Sequence, residues 1–379
     1  MESETKLVIN GSFGEGGGQV LRNSLALSIL TGREIRIENI RANRTPPGLR
    51  PQHLAAVKGA ASISGAEVVG DEIGSSVIDF RPGPVTSGDH VIDIGTAGSL
   101  TLLLQTLLPP LLSASGPSSL RLIGGTDVSW SPPIDYLRYV FLPKILGMGA
   151  KVDIELERRG FYPRGGGEIL VSVEPGSLSS GEFLPDSGGG DGGEKETSYK
   201  EGQASLSIEG RVFLGNLPNH IGKRMREAVE RELAREFNEG LDINITIDKP
   251  SENERSAIGQ GTGITLWSGN DSGTGYDSRP GMEHLGATGL GSKGMRAEKV
   301  GSDAARELIH EIRGGCGMDI HAADQLPVFV PLITASDKGG RLAYTVREIT
   351  GHLRSALWVL EQFGYPSTVI DGNGFHVKM

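Results

Sequence analysis

Ser64-Gly-Ala-Glu-Val68 closes an apolar helical stretch with a glycine and opens a strand, and the same turn returns as Met148-Gly-Ala-Lys-Val152 and Phe363-Gly-Tyr-Pro-Ser367. Glycine at this point supplies the residue on which a helix stops, and the letters that follow suit a closing strand. Working outward from each copy gives one order: apolar helix, strand, second helix, glycine turn, strand. The first unit takes residues 18–31, 34–40, 52–63 and 66–69; the second takes 99–112, 120–123, 134–146 and 150–154; the third takes 324–333, 341–346, 352–363 and 367–370. The recurrence predicts an α/β (α+β) protein whose large domain has three repeated units, each a sheet with two helices on one face.

Between the second and third units the pattern breaks. Residues 176–203 are rich in Gly, Ser and acids and read as a surface loop. A distinct module follows, with a strand over 204–213, a charged helix over 219–237, strands over 242–247 and 263–267, and a polar Gly-rich stretch over 268–288 leading back to the main body. The predicted layout is a large catalytic domain of residues 1–183 and 284–379, with a small α/β domain inserted over 184–283. Opposite charges at i,i+4 on the 219–237 helix read as a solvated face.

A chain of 379 residues with 37% hydrophobic content can bury a substantial core. Its single cysteine, Cys316, excludes an internal disulfide and reads as a buried thiol in a reducing compartment. No apolar run approaches a membrane span and Met1-Glu-Ser-Glu-Thr-Lys6 lacks the features of a signal peptide, so a cytoplasmic location is expected. The net charge of −10 argues against an indiscriminate nucleic-acid coat. Arg33, Arg36, Arg41, Arg44 and Arg50 nevertheless crowd one stretch and leave room for a focused anion site.

Gly11-Ser-Phe-Gly-Glu-Gly-Gly-Gly-Gln-Val-Leu-Arg22 sets five glycines, one carboxylate and one guanidinium between a strand and a helix. Backbone N–H groups of glycines can approach an anion closely, and a helix starting near Gly18 turns its positive end to the same point. Glu15 cannot bind phosphate but can hold a divalent metal that bridges to it, while Arg22 can meet the anion with its planar fork. A tight turn with solvated Glu15 and Arg22 uses the same letters, and this segment alone leaves both readings open. Two phosphate motifs are excluded. Gln19 stands where a dinucleotide fingerprint needs glycine, and neither Gly222-Lys-Arg224 nor Gly291-Ser-Lys293 is a P-loop.

Asp324 and Gln325 are read in the first turn of the third unit's first helix, just after His321. Aspartate suits a helix start in any case, and a glutamine side chain can pair with a purine edge. His352 is read in the first turn of a helix capped by Thr350, with Leu353, Ala356, Leu357 and Leu360 as its apolar stripe. That position disfavours imidazolium and keeps the ring nucleophilic near pH 7, although a structural or solvated histidine is its commoner occupant. The eight histidines show no zinc-binding spacing.

Several long strings resemble RNA 3′-terminal phosphate cyclases. They are G-E-G-G-G-Q-V-L-R (Gly14 to Arg22), R-A-N-R-T-P-P-G-L-R-P-Q-H-L (Arg41 to Leu54), G-T-A-G-S-L-T-L-L-L-Q (Gly95 to Gln105), G-G-T-D-V-S-W-S-P-P (Gly124 to Pro133), G-F-Y-P-R-G-G-G-E (Gly160 to Glu168), A-D-Q-L (Ala323 to Leu326) and G-H-L at His352. The likeness covers nearly the whole chain and is weakest over the inserted module. It implies three repeats like those of enolpyruvyl transferases and of the C-terminal domain of translation initiation factor 3. It also implies ATP-dependent conversion of an RNA 3′-terminal phosphate to a 2′,3′-cyclic phosphodiester, through histidine-AMP and RNA(3′)pp(5′)A intermediates, with a divalent metal (Mg2+ or Mn2+).

By this resemblance, His352 matches the histidine that is adenylylated in the family and Glu15 matches its metal-associated glutamate. Arg22, Arg41, Arg44, Gln52 and His53 match residues around the phosphates and the RNA end, and Gln105, Pro132, Asp324 and Gln325 match the nucleotide pocket. His321 stands in that pocket where the family often has tyrosine. The implied partners are ATP and RNA with a 3′-terminal phosphate, with no membrane and with a homodimer as the candidate assembly. A non-catalytic relative that serves ribosomal RNA processing shares the fold, but intact Glu15, Arg22 and His352 argue against it. An enolpyruvyl transferase would need no adenylylated histidine. A K-x-D-G lysine nucleophile is missing, since Val369-Ile-Asp-Gly372 has valine at the lysine position.

Overall fold

The computed structural model describes residues 6–184, 206–237, 241–248, 255–269, 284–337, 339–372 and 374–379. Three four-stranded sheets in it share one topology. In the first, Leu7–Asn10 runs parallel to Ile35–Glu38, which is antiparallel to Ile78–Arg81, itself antiparallel to Glu67–Val69. Gly88–Asp93, Ser118–Gly124, Gly167–Glu174 and Lys151–Arg158 repeat that arrangement. So do Gly181–Phe183, Leu342–Val346, Gly374–Lys378 and Thr368–Gly372. The three quoted turns each hold a glycine with positive φ, Gly65, Gly149 and Gly364, which is why glycine alone recurs at that place.

The helices of the three units face one another. Gly18–Thr31 packs on both Leu100–Leu112 and Gly351–Gln362, so a single apolar core runs from Ile9 to Val377. Leu100–Leu112 is buried at every position except Leu102, as a helix that is apolar all round must be. Each of its fully buried leucines contributes about 1.5–3 kcal/mol of transfer free energy. Gln105 and Thr106 are buried in its middle. Polar groups kept at that depth need a reason, and Gln105 finds one below.

The module between units has its own sheet, in the order Leu241–Ile247, Leu206–Gly215, Gly261–Gly269, Gly286–Leu290, and its own core. This core corrects the boundary read at residue 283. Gly286–Leu290 pairs with Gly261–Gly269, and helix Ala297–Gly314 packs on Asn219–Glu236, burying Val300, Ala304, Ala305 and Leu308. Glycine, alanine and threonine in this last strand carry too little side chain for alternation to register. The helix face read as solvated is in part a seam, because Arg224 pairs with Glu298 and Glu232 with Arg306 across the two helices.

The third unit is split by the insertion. Its first strand, Gly181–Phe183, lies inside the stretch read as loop over 176–203, of which residues 185–203 fall outside the described residues, as do 270–283 of the second Gly-rich stretch. Its first helix also differs from the reading over 324–333. A short turn, Ile320–Ala323, is capped by Asp319, whose carboxylate accepts the His321 and Ala322 N–H groups. A 3₁₀ turn, Pro327–Phe329, and helix Val330–Ser336 follow, with Pro327 and Pro331 interrupting a continuous ladder. Asp324 and Gln325 therefore sit between helical pieces, and Asp319 does the capping. The helix read over 134–146 likewise contains a π turn, Leu137–Phe141, just before Pro143, which has no N–H to donate. No helix among the described residues is long and apolar enough to cross a membrane.

Candidate active site

The glycine-rich corner is shaped by what crowds it. A Cβ on Gly18 would lie 2.6 Å from His53 Nε2 and 2.7 Å from Arg22 Nη1, and one on Gly14 would lie 2.6 Å from Ser355 Oγ. Glycine here admits the side chains of helices Pro51–Ser64 and Gly351–Gln362 to the first turn of Gly18–Thr31. Phe13 stacks on Trp358 at 4.1 Å and clamps the corner to the third unit. The helix itself begins at Gly18 without a side-chain cap, so its first N–H groups remain open to an anion.

Arg22 is buried and its fork is fixed by two glutamines. Its Nε donates to Gln105 Oε1 at 3.1 Å and its Nη2 to Gln19 Oε1 at 2.8 Å. Gln19 Nε2 in turn donates to the Asp324 carbonyl at 3.2 Å, tying residues 305 apart in sequence. Burial lowers the Arg22 pKa to about 10, against the pull of Asp324. Burial likewise pushes Asp324 well above the usual carboxylate range, opposed by Arg22. Gln105 Nε2 is buried with no partner among the described residues, an unused donor beside this pair.

His352 occupies the second position of Gly351–Gln362, whose N-cap Thr350 accepts the Leu353 N–H at 3.0 Å. Its Nε2 lies 3.9 Å from Glu15 Oε2, and Arg44 Nη2 lies 3.1 Å from the same oxygen. Burial lowers the His352 pKa; Glu15 raises it, and Arg22, Arg44 and His321 lower it further. The ring thus stays neutral in the range where an ordinary histidine begins to charge. His53 is shifted further, to about 3, by burial and by Arg22, Arg41 and Arg50. Its Nδ1 accepts the Arg50 N–H at 3.3 Å, so the neutral ring carries its proton on Nε2, beside Gly18.

Other site residues read from sequence have structural partners. Arg41 Nη1 donates to the Pro46 and Gly48 carbonyls and closes that turn. Gln52 Oε1 accepts the Ser99 N–H, and the Pro132 carbonyl accepts from Thr101 Oγ1. Gln325 Nε2 donates to the His321 carbonyl, and the exposed His321 ring stands edge-on to Tyr136. Three contributors went unread: Gln19, Asn43, which abuts Gly16, and Ser355. The signal for Gln19 lay in plain view, as the residue that breaks the dinucleotide fingerprint.

A family model described as RNA 3′-terminal phosphate cyclase matches residues 13–368. The chain belongs to the RNA 3′-terminal phosphate cyclase family. It is 41% identical over 355 residues to the RNA 3′-terminal phosphate cyclase of Pyrobaculum aerophilum, covering 94% of this chain and 92% of that one. The protein of the same name from Methanosarcina mazei is 41% identical over 363 residues, covering 94% of each chain. That of Archaeoglobus fulgidus is 39% identical over 370 residues, covering 98% of this chain and 99% of the relative. The family match spans the glycine corner, the Arg41–His53 segment, Asp324 and His352 together.

Proposed function

We propose that this chain cyclises RNA 3′-terminal phosphates at the expense of ATP, through an AMP phosphoramidate on His352 and an RNA(3′)pp(5′)A intermediate. The observation that carries the proposal is His352 beside the glycine corner, its Nε2 3.9 Å from a Glu15 carboxylate that also pairs with Arg44, with burial lowering its pKa. In the first step a His352 ring nitrogen attacks the ATP α-phosphorus, the P–N bond forms and diphosphate leaves. An oxygen of the RNA 3′-phosphate then attacks that phosphorus and frees the histidine. The neighbouring 2′-OH, held by tethering alone, attacks the 3′-phosphorus and expels AMP.

Side chains are available for each task. Arg22, held by Gln19 and Gln105, presents a preset fork to phosphate oxygens, and the His53 Nε2–H adds a neutral donor. The unpaired Gln105 amide and the buried Asp324 suit the polar edge of an adenine, a fit that fully partnered groups would not offer. Among the described residues no cluster of three or more His, Cys, Asp or Glu is placed to hold a metal. A magnesium or manganese ion would therefore take Glu15 as its protein ligand and complete its shell from water and phosphate oxygens, neutralising phosphate charge when bound.

Two variants test this division. Glu15→Ala is expected to raise the metal concentration for half-maximal adenylylation about tenfold or more, with little change in stability, because an exposed Glu15–Arg44 pair contributes about 0–1 kcal/mol. An unchanged metal titration would remove Glu15 from that role. Arg44→Ala is expected to slow cyclisation on the order of 10²-fold while still forming the adenylate, measured at pH 8 where His352 is neutral with or without the Arg44 charge. Equal loss of both steps would place Arg44 on ATP, and loss of neither would make it a surface residue.

A further inference from the structure

Trp130 is 99% exposed and holds a left-handed backbone, with φ of 66°. An indole there forgoes burial and accepts backbone strain, two costs that the fold itself does not require. Its loop is nonetheless pinned. The Ile134 N–H donates to the Thr126 carbonyl, Ser131 Oγ to the Val128 carbonyl, and Thr101 Oγ1 to the Pro132 carbonyl. The indole is thus held outward by a rigid base.

A second aromatic stands on the adjoining loop. Asp127 and Phe161 form a β-bridge, and the Thr126 and Asp127 N–H groups both donate to the Gly160 carbonyl, so the two loops are tied together. Phe161 is buried against Gly215 and Gly261, where any Cβ would clash with its ring. Tyr162, the next residue, is 77% exposed, and Arg164 beyond it is exposed and makes no ion pair among the described residues. Gly165 then presses on Thr96 and Ala97. That segment reaches Ser99, whose N–H is bound by Gln52, the residue before His53. Two outward rings and a free guanidinium therefore stand one loop away from the proposed 3′-phosphate site.

We propose that Trp130 and Tyr162, with Arg164, form a stacking platform for the unpaired nucleotides that lead into the RNA 3′ end. Flat rings accept any base through its π face, and an arginine beside them meets the backbone charge, the combination that binds single strands without reading sequence. The inference rests on the cyclase reading of the neighbouring site. The platform would engage nucleotides upstream of the reacting end, so its loss should be felt by a longer RNA and not by the shortest one.

The test compares a single-stranded, 3′-phosphorylated RNA of about ten nucleotides with a 3′-phosphorylated dinucleotide. Trp130→Ala and Tyr162→Ala are each expected to weaken binding of the longer RNA about tenfold, as loss of one stacked base does, and to leave the dinucleotide and His352 labelling by ATP unchanged. Trp130→Phe should retain most of the affinity. Trp130→Gly removes the ring and the strain together, so it separates loss of stacking from loss of folding and should bind like Trp130→Ala. Wild-type affinity of the alanine variants for the longer RNA would overturn the platform, including the case in which a protein partner covers these rings. A wild-type protein that bound neither RNA would instead overturn the cyclase reading, and the platform with it.

Discussion

His352→Ala and His352→Asn are expected to reduce covalent labelling by α-labelled ATP to background while the chain stays folded. Nearly half of this side chain is exposed, and the helix it opens is capped by Thr350 and buried through Leu353, Ala356, Leu357 and Leu360, none of which the substitution touches. No neighbouring group can take over. His53 is held on the Arg50 N–H with its pKa at about 3, and His321 sits in the short turn Ile320–Ala323 with its ring edge-on to Tyr136. The wild-type labelling rate should keep its plateau below pH 6.5, because burial, Arg22, Arg44 and His321 lower the His352 pKa more than Glu15 raises it. Labelling that falls off above pH 6.5 as the pH is lowered, or persists in His352→Asn, would contradict this assignment. Circular dichroism on the same samples separates loss of chemistry from loss of fold.

Arg22→Lys is expected to lower adenylylation and cyclisation together, each on the order of 10²-fold. The guanidinium holds two glutamine oxygens at 3.1 and 2.8 Å through different nitrogens, a fork that a single ammonium cannot reproduce. The charge is conserved, so the defect is one of direction. Burial already drives Asp324 toward its protonated form, which spares the variant an unpaired buried carboxylate. Rates for the two steps, read with thermal midpoints, check the expectation. Wild-type rates in both steps would reduce Arg22 to a structural residue of the core.

Much of this architecture was legible because its punctuation is chemical. The glycines at 65, 149 and 364 end helices in a conformation other residues avoid, and they mark the three repeats without any tertiary information. The first strand of the third unit was not legible. Gly181–Phe183 is three residues long, too short for a period to show, and acquires its role only by pairing with Leu342–Val346, far along the chain. The end of the insertion was missed for a related reason: Gly286–Leu290 is small-residued and packs by close approach instead of by apolar bulk.

The site divides in the same way. Glu15 and His352 stood out through residue type and position at a helix start, and the structure brings them together from opposite ends of the chain. Gln19 did not stand out as a site residue, since its hydrogen bond to the Asp324 carbonyl depends on how the first and third units pack. Arg41 and Gln52 were assigned to the phosphates and the RNA end by resemblance, and the hydrogen bonds they make here go to backbone, a distinction that spacing cannot carry.

The most direct measurement of the proposed chemistry is to incubate the purified protein with α-labelled ATP and Mg2+, map the labelled peptide, and then add 3′-phosphorylated RNA. The expected result is one AMP on His352, acid-labile and alkali-stable as a phosphoramidate should be, that is discharged by the RNA with release of AMP and a 2′,3′-cyclic end. AMP bound to another residue, or RNA cyclised with no covalent protein intermediate, would contradict it.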